Sequence, residues 1–267
     1  MKWPFPILVC LLMLVGCDNA TEPDDTLADS ELAEVAEGEP ELFDYEADAG
    51  YLGASIREVP GFIAIWRDLV RPFQNTWIVE QLGAGLFQVT RNAVITGTLY
   101  VEWEDSTITD KAFSCKGTKR SIISRPARGT PGVLEQVSPT LVWTEGGAMA
   151  ITRVEISAAS GTTVVDDPLA LMDFPEGLLH LDPGEEVTVR VWGAPQDAIV
   201  VLRVPLTLSD FSEFVMDFSG EYHEGQWHAP QYPGLRRVAI DVMSHATVHD
   251  PAAPYDSTAW LFPYVVR

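Results

Sequence analysis

Glu186-Val187-Thr188-Val189-Arg190-Val191-Trp192 carries three valines in alternation with threonine, arginine and tryptophan. A period of two is what a β-strand with one buried face requires. The same period recurs on both sides of this stretch. Downstream, Val200, Leu202, Val204 and Leu206 share parity, as do Phe214, Met216 and Phe218. Val238, Ile240 and Val242 alternate with Arg237, Ala239 and Asp241, and Trp260 to Val266 supplies a further apolar run, where Pro263 is expected at a strand edge or bulge. Upstream, Ile95, Leu99, Val101 and Trp103 fall on one face, with Thr96, Thr98, Tyr100 and Glu102 on the other. Glu104-Asp105-Ser106 then reads as a tight turn. Further strands are expected in Gly61–Val70, Thr76–Leu82, Leu86–Thr90, Ser121–Ser124, Thr140–Thr144 and Ala148–Ser157. Long stripes of helical period are missing, so the expected fold class is all-β.

Three pieces place the second half in a recognisable architecture: Leu181-Asp182-Pro183-Gly184-Glu185 before the quoted strand, Gly225-Gln226-Trp227, and Tyr232-Pro233-Gly234-Leu235 leading into Arg237–Val242. Together they resemble the bacterial immunoglobulin-like and fibronectin-III-like modules of envelope proteins. The resemblance implies the approach to strand B, strand E and the corner into strand F of a two-sheet sandwich. The Cys–Trp–Cys spacing of antibody domains is absent, and Leu235 stands where the corner usually has an aromatic residue. The resulting division is a β-rich domain of unknown type over 49–150 and an immunoglobulin-like β-sandwich over 151–267.

The N-terminus gives the location. Met1-Lys2 precedes an uncharged, mostly apolar stretch from Trp3 to Gly16. Fourteen residues are too few to span a bilayer, which needs roughly 20, and suit a signal peptide over 1–16. Leu14-Val15-Gly16-Cys17 resembles the bacterial lipobox, which implies lipidation at Cys17 and a body anchored to the inner or outer membrane of the cell envelope. Asp18 resembles the inner-membrane retention residue of enteric bacteria. From Cys17 to Asp48 there are 13 acidic residues and no Lys or Arg. Such a segment repels itself and buries little, so 17–48 is expected to be a disordered acidic tether. With Cys10 in the signal peptide and Cys17 lipidated, Cys115 is left as a buried, inert thiol beside Phe113.

The chain's 267 residues hold 17 Lys+Arg against 39 Asp+Glu, a net charge of −22. That balance excludes a broad nucleic-acid-binding surface, which needs clustered bases. Lys111, Lys116, Lys119, Arg120, Arg125 and Arg128 fall together without an acid among them. This stretch is read as a solvated polar loop; anionic lipid, lipopolysaccharide or the acidic tether are the ligands it could hold. Catalytic motifs are missing. His223-Glu224-x-x-x-His228 is one residue too long for zinc-protease spacing, and Glu185-Glu186 and Asp166-Asp167 are adjacent pairs that face opposite sides of a strand. No catalytic residue is expected and the chain is not read as an enzyme.

Ligand binding is expected at one end of the sandwich, where Gly193–Asp197 and His245–Asp256 would form neighbouring loops. That end gathers Asp197, His249, Asp250 and Asp256, with Tyr255 and Trp192 at its rim. Asp197, Asp250 and Asp256 are the candidate oxygen donors for Ca²⁺, a hard cation, although Asp and Pro also occur here as turn formers. Trp192, outward by parity, is the candidate platform for a sugar ring. Function is therefore expected to be that of a non-catalytic, lipid-anchored envelope protein that binds or spaces other envelope components. The alternative is a carbohydrate-binding or sugar-processing envelope module.

Overall fold

The computed structural model describes Leu32, Val35 and residues 56–57, 62–125, 130–205 and 211–267. The signal-peptide reading, Cys17 and most of the acidic tether lie outside the described residues. The fold is all-β, with one short helix among the described residues besides the helical Leu32 and Val35.

In chain order the first strands are β1 (Ile56–Arg57), β2 (Phe62–Leu69), β3 (Gln74–Gly83), β4 (Leu86–Trp103), β5 (Ile108–Ser124), β6 (Val133–Val137) and β7 (Thr140–Thr144). They are followed by β8 (Arg153–Ala158), β9 (Gly161–Val165), β10 (Met172–Asp173), β11 (Leu179–Leu181) and β12 (Glu186–Trp192). Next come β13 (Ile199–Pro205), β14 (Phe211–Val215), β15 (Asp217–Phe218), β16 (His223–His228) and β17 (Gly234–Met243). The helix α1 (His245–His249) precedes β18 (Ser257–Val266).

Two sheets result. The larger runs β1-β2-β4-β5-β7-β18-β17-β13-β14, and its two ends, β1 and β14, come close together, so the sheet curls round an interior. The smaller runs β15-β16-β12-β8-β9. Strand pairing crosses the boundary drawn at 150/151, because β7 is paired with β18 from Thr140↔Leu261 to Trp143↔Thr258.

The hairpin β4–β5 is long enough to serve two sets of neighbours. Gly97–Trp103 of β4 pairs with β2, and Leu86–Val94 pairs with β3. On β5, Cys115–Thr118 pairs with β7 and Ser121–Ser124 with β6. The turn at its head is the one expected: Ser106 adopts φ 64 and donates its N–H to the Trp103 carbonyl at 2.8 Å. The expected polar loop over Lys111–Arg128 is instead largely β5. Its bases hid the alternation, because Lys119 is only 1% exposed and Arg125 is also buried.

Strands β13, β17 and β18 are buried on both faces. Val200, Leu202, Val204, Val238, Ile240, Val242, Trp260 and Phe262 meet Val154, Ile156, Val187, Val189, Val191 and Trp227 of the smaller sheet. The opposite faces of the same strands give Val201, Ala239, Met243, Ala259 and Leu261 to the interior of the curled sheet, with Ile65, Ile95, Leu99, Val101, Phe113 and Cys115. Fully burying one such aliphatic side chain contributes roughly 1.5–3 kcal/mol. These three strands therefore hold two cores together. Pro263 sits mid-strand, where one edge of β18 changes partner: β7 pairing ends at Leu261 and parallel β11 pairing begins at Tyr264. A residue with no N–H is suited to such a gap. A third cluster joins Leu32, Val89, Ile123, Leu134, Val137 and Leu178, with Val35, Trp77, Val79 and Leu235 packed against it.

Candidate functional site

The register Ile199↔Met243 places turn 193–198 beside the connection 244–256, so the two loops do share one end of the molecule. There α1 starts at Ser244, whose Oγ accepts from the Thr247 N–H at 3.0 Å. It ends on Lys111 of β5, whose Nζ donates to the carbonyls of Thr247 at 2.8 Å and Asp250 at 2.9 Å. A cation at a helix C-terminus satisfies carbonyls left without intrahelical donors. The His249 ring stacks on His245 at 3.8 Å and meets the Trp103 edge at 6.0 Å. Burial, and then the neighbouring His245, hold the His249 imidazole below its ordinary proton affinity.

The carboxylates of this end serve the backbone. Asp250 Oδ1 accepts from the Ala252 N–H at 2.9 Å. Asp256 accepts from the N–H groups of Ala148 and Met149 at 2.9 and 3.2 Å, tying the β7–β8 connection to the α1–β18 loop. Asp197 is exposed in its turn. Among the described residues, no three His, Cys, Asp or Glu side chains are grouped as metal ligands would be. Tyr255, expected at the rim, is buried. It stacks on Phe113 at 4.7 Å under the Arg67 guanidinium, and its hydroxyl accepts from Ser257 Oγ. Burial drives the Tyr255 phenol well above its usual range.

Comparison of the chain with protein-family models, curated proteins and solved structures finds no match. Trp192 lies on the outer face of the smaller sheet, half-buried, with Arg153 over its ring at 5.0 Å and Tyr222 beside it at 5.0 Å, tilted by 51°. Arg190 bridges Glu224 at 2.7 Å and Glu155 at 3.2 Å on the same face. The surface is an aromatic and ion-pair mosaic in which the arginines and Tyr222 already pack on the rings. His223 and His228 diverge, one buried and one exposed, as residues of opposite parity on β16 must.

The sequence reading missed a charged group inside the curled sheet. Arg67 of β2 makes two bonds to Asp241 of β17, at 2.6 and 3.2 Å, and Arg203 of β13 approaches the same carboxylate at 3.4 Å. Glu213 of β14 lies 3.9 Å from Arg203. Burial alone would lower the proton affinity of Arg67, but Asp241 and Tyr255 outweigh it and the net direction is upward. Arg203 is lowered by burial. The available signal was a charge within a mostly apolar run: Arg67 in β2, Arg203 in β13 and Asp241 in β17. Cys115 lies in the same core, its thiol pushed up by burial, with Thr144 Oγ1 at 3.7 Å. A raised thiol affinity disfavours the reactive thiolate.

Proposed function

We propose that this chain is a non-catalytic, lipid-anchored cell-envelope protein whose all-β body binds or spaces other envelope components. The observation that carries the reading is Cys17 directly after Leu14-Val15-Gly16, at the end of an apolar stretch too short to span a membrane. The geometry of the second half supports the envelope-module part. The strand order β8, β12, β16 and β15, with β9 added beyond β8, resembles A-B-E-D of an immunoglobulin sandwich, and β14, β13, β17 and β18 resemble C′-C-F-G. The loop-end carboxylates of Asp250 and Asp256 are committed to backbone N–H groups, a structural use of residues that would otherwise be candidates for chemistry.

The anchor is tested by metabolic labelling with a clickable fatty acid. The wild-type chain is expected to carry the label and to sediment with membranes, whereas Cys17→Ser loses both. A labelled, membrane-bound Cys17→Ser chain overturns the reading.

A further inference from the structure

His245-Ala246-Thr247-Val248-His249 sets two histidines four residues apart. These five residues are α1, so both rings leave the helix on one face. Thr247 and Val248 are its buried residues, whereas His245 and His249 are exposed. The two imidazoles stack 3.8 Å apart between centres and 7° from parallel. The helix is short, but it is held from several sides. Thr247 Oγ1 donates to the Asp256 carbonyl at 3.1 Å and accepts from the Asp256 N–H at 2.7 Å. Ser244 donates its N–H to the same carbonyl at 3.0 Å, and Lys111 holds the other end through the carbonyls of Thr247 and Asp250. The Trp103 edge lies against His249, and its Nε1 donates to Thr109 Oγ1 at 3.1 Å.

Two imidazoles held side by side at a solvent-facing surface are donors for a borderline divalent cation. Neutral imidazole suits Zn²⁺, Ni²⁺ and Cu²⁺, whereas Ca²⁺ takes oxygen ligands. The carboxylates of Asp250 and Asp256 are engaged with backbone N–H groups, so the donor set at this end of the molecule is nitrogen rather than oxygen. Tetrahedral Zn²⁺, with Zn–N bonds of about 2.0–2.1 Å, sets two ligand nitrogens about 3.3 Å apart. The ring centres stand at nearly that spacing, so a tilt of each ring about χ2 brings one nitrogen from each onto a common ion. Because the rings are already together, binding gives up little side-chain freedom.

We propose that His245 and His249 form a two-imidazole site for a borderline divalent transition-metal cation, with water completing its coordination. Two protein ligands make a site open to exchange rather than a closed structural centre of four. The ion ties the first residue of α1 to the last, and so stiffens the connection between β17 and β18. Neither lipidation at Cys17 nor the envelope role proposed above is required for it.

The test is calorimetric titration of the untagged full-length chain in detergent with Zn²⁺, and separately with Ca²⁺. One Zn²⁺ per chain is expected to bind above the weak background of the acidic residues and to raise the thermal midpoint, while Ca²⁺ gives no such event. His245→Ala and His249→Ala should each weaken Zn²⁺ binding at least about tenfold, because a lone imidazole loses the effective concentration of its neighbour. His228→Ala, which removes an exposed histidine of β16, should leave it unchanged. Circular dichroism checks that each variant folds. With Cu²⁺ as the probe, electron paramagnetic resonance should show coupling to two nitrogens in the wild type and to one in each single variant. Equal Zn²⁺ affinity in the wild type and in His245→Ala/His249→Ala overturns the proposal, as does an equal loss in His228→Ala. A one-nitrogen Cu²⁺ signal in the wild type overturns it too. None of these outcomes bears on whether Cys17 is lipidated.

Discussion

Asp241 is the residue on which the interior of the curled sheet turns. It is fully buried, accepts two bonds from Arg67 and faces Arg203. Removing one partner of a buried ion pair leaves an uncompensated charge and costs about 3–5 kcal/mol. Asp241→Asn should therefore lower the unfolding free energy by about that amount in urea titrations. Adding Arg67→Met should cost clearly less than the sum of the two single losses, because the two changes share one interaction. Additive losses would show that the pair is not coupled. By contrast, the charges on the outer face of the smaller sheet, such as Arg190 with Glu155 and Glu224, are partly exposed. Such pairs are worth about 0–1 kcal/mol.

At the level of elements, the hairpin β4–β5 is held by a close approach that only glycine permits. Gly97 pairs with Leu69 on one side and Phe113 on the other, and a β-carbon there would strike the Asp68 carbonyl oxygen and the Phe113 ring. Gly97→Ala should destabilise the protein by about 1–3 kcal/mol, read as a drop in thermal midpoint, with the fold otherwise intact by circular dichroism. An unchanged midpoint would mean that β2 and Phe113 relax freely around the new methyl. Such elements were legible in the sequence to different degrees. The alternation of Val187, Val189 and Val191 was plain because the other face of β12 meets solvent and carries Thr188, Arg190 and Trp192. In β17 and β18 the second face is buried too, so Ala239 and Asp241 read as outward residues although they line another core. Strand β5 was obscured for the opposite reason: a base, Lys119, occupies one of its inner positions, and period-two reasoning weighs apolar residues only. At the candidate site, the neighbourhood of the two loops was readable. The use of Asp256 and Tyr255 was not, because their partners, Ala148, Met149 and Phe113, come from distant strands.

The whole molecule is expected to unfold as a unit. The sandwich core and the curled-sheet core share β13, β17 and β18, so neither can melt without stripping one face from strands the other needs. Calorimetry should show one transition whose van't Hoff and calorimetric enthalpies agree, and a chain cut after Asp256 should show none. Two resolved transitions, or cooperative melting of the shortened chain, would separate the cores. The central position of β18 also sets the timetable of biosynthesis. It is translated after the other described strands, yet it lies between β7 and β17 and supplies side chains to both interiors. Until it emerges from the ribosome, β7 and β17 lack the neighbour between them and neither interior can be sealed.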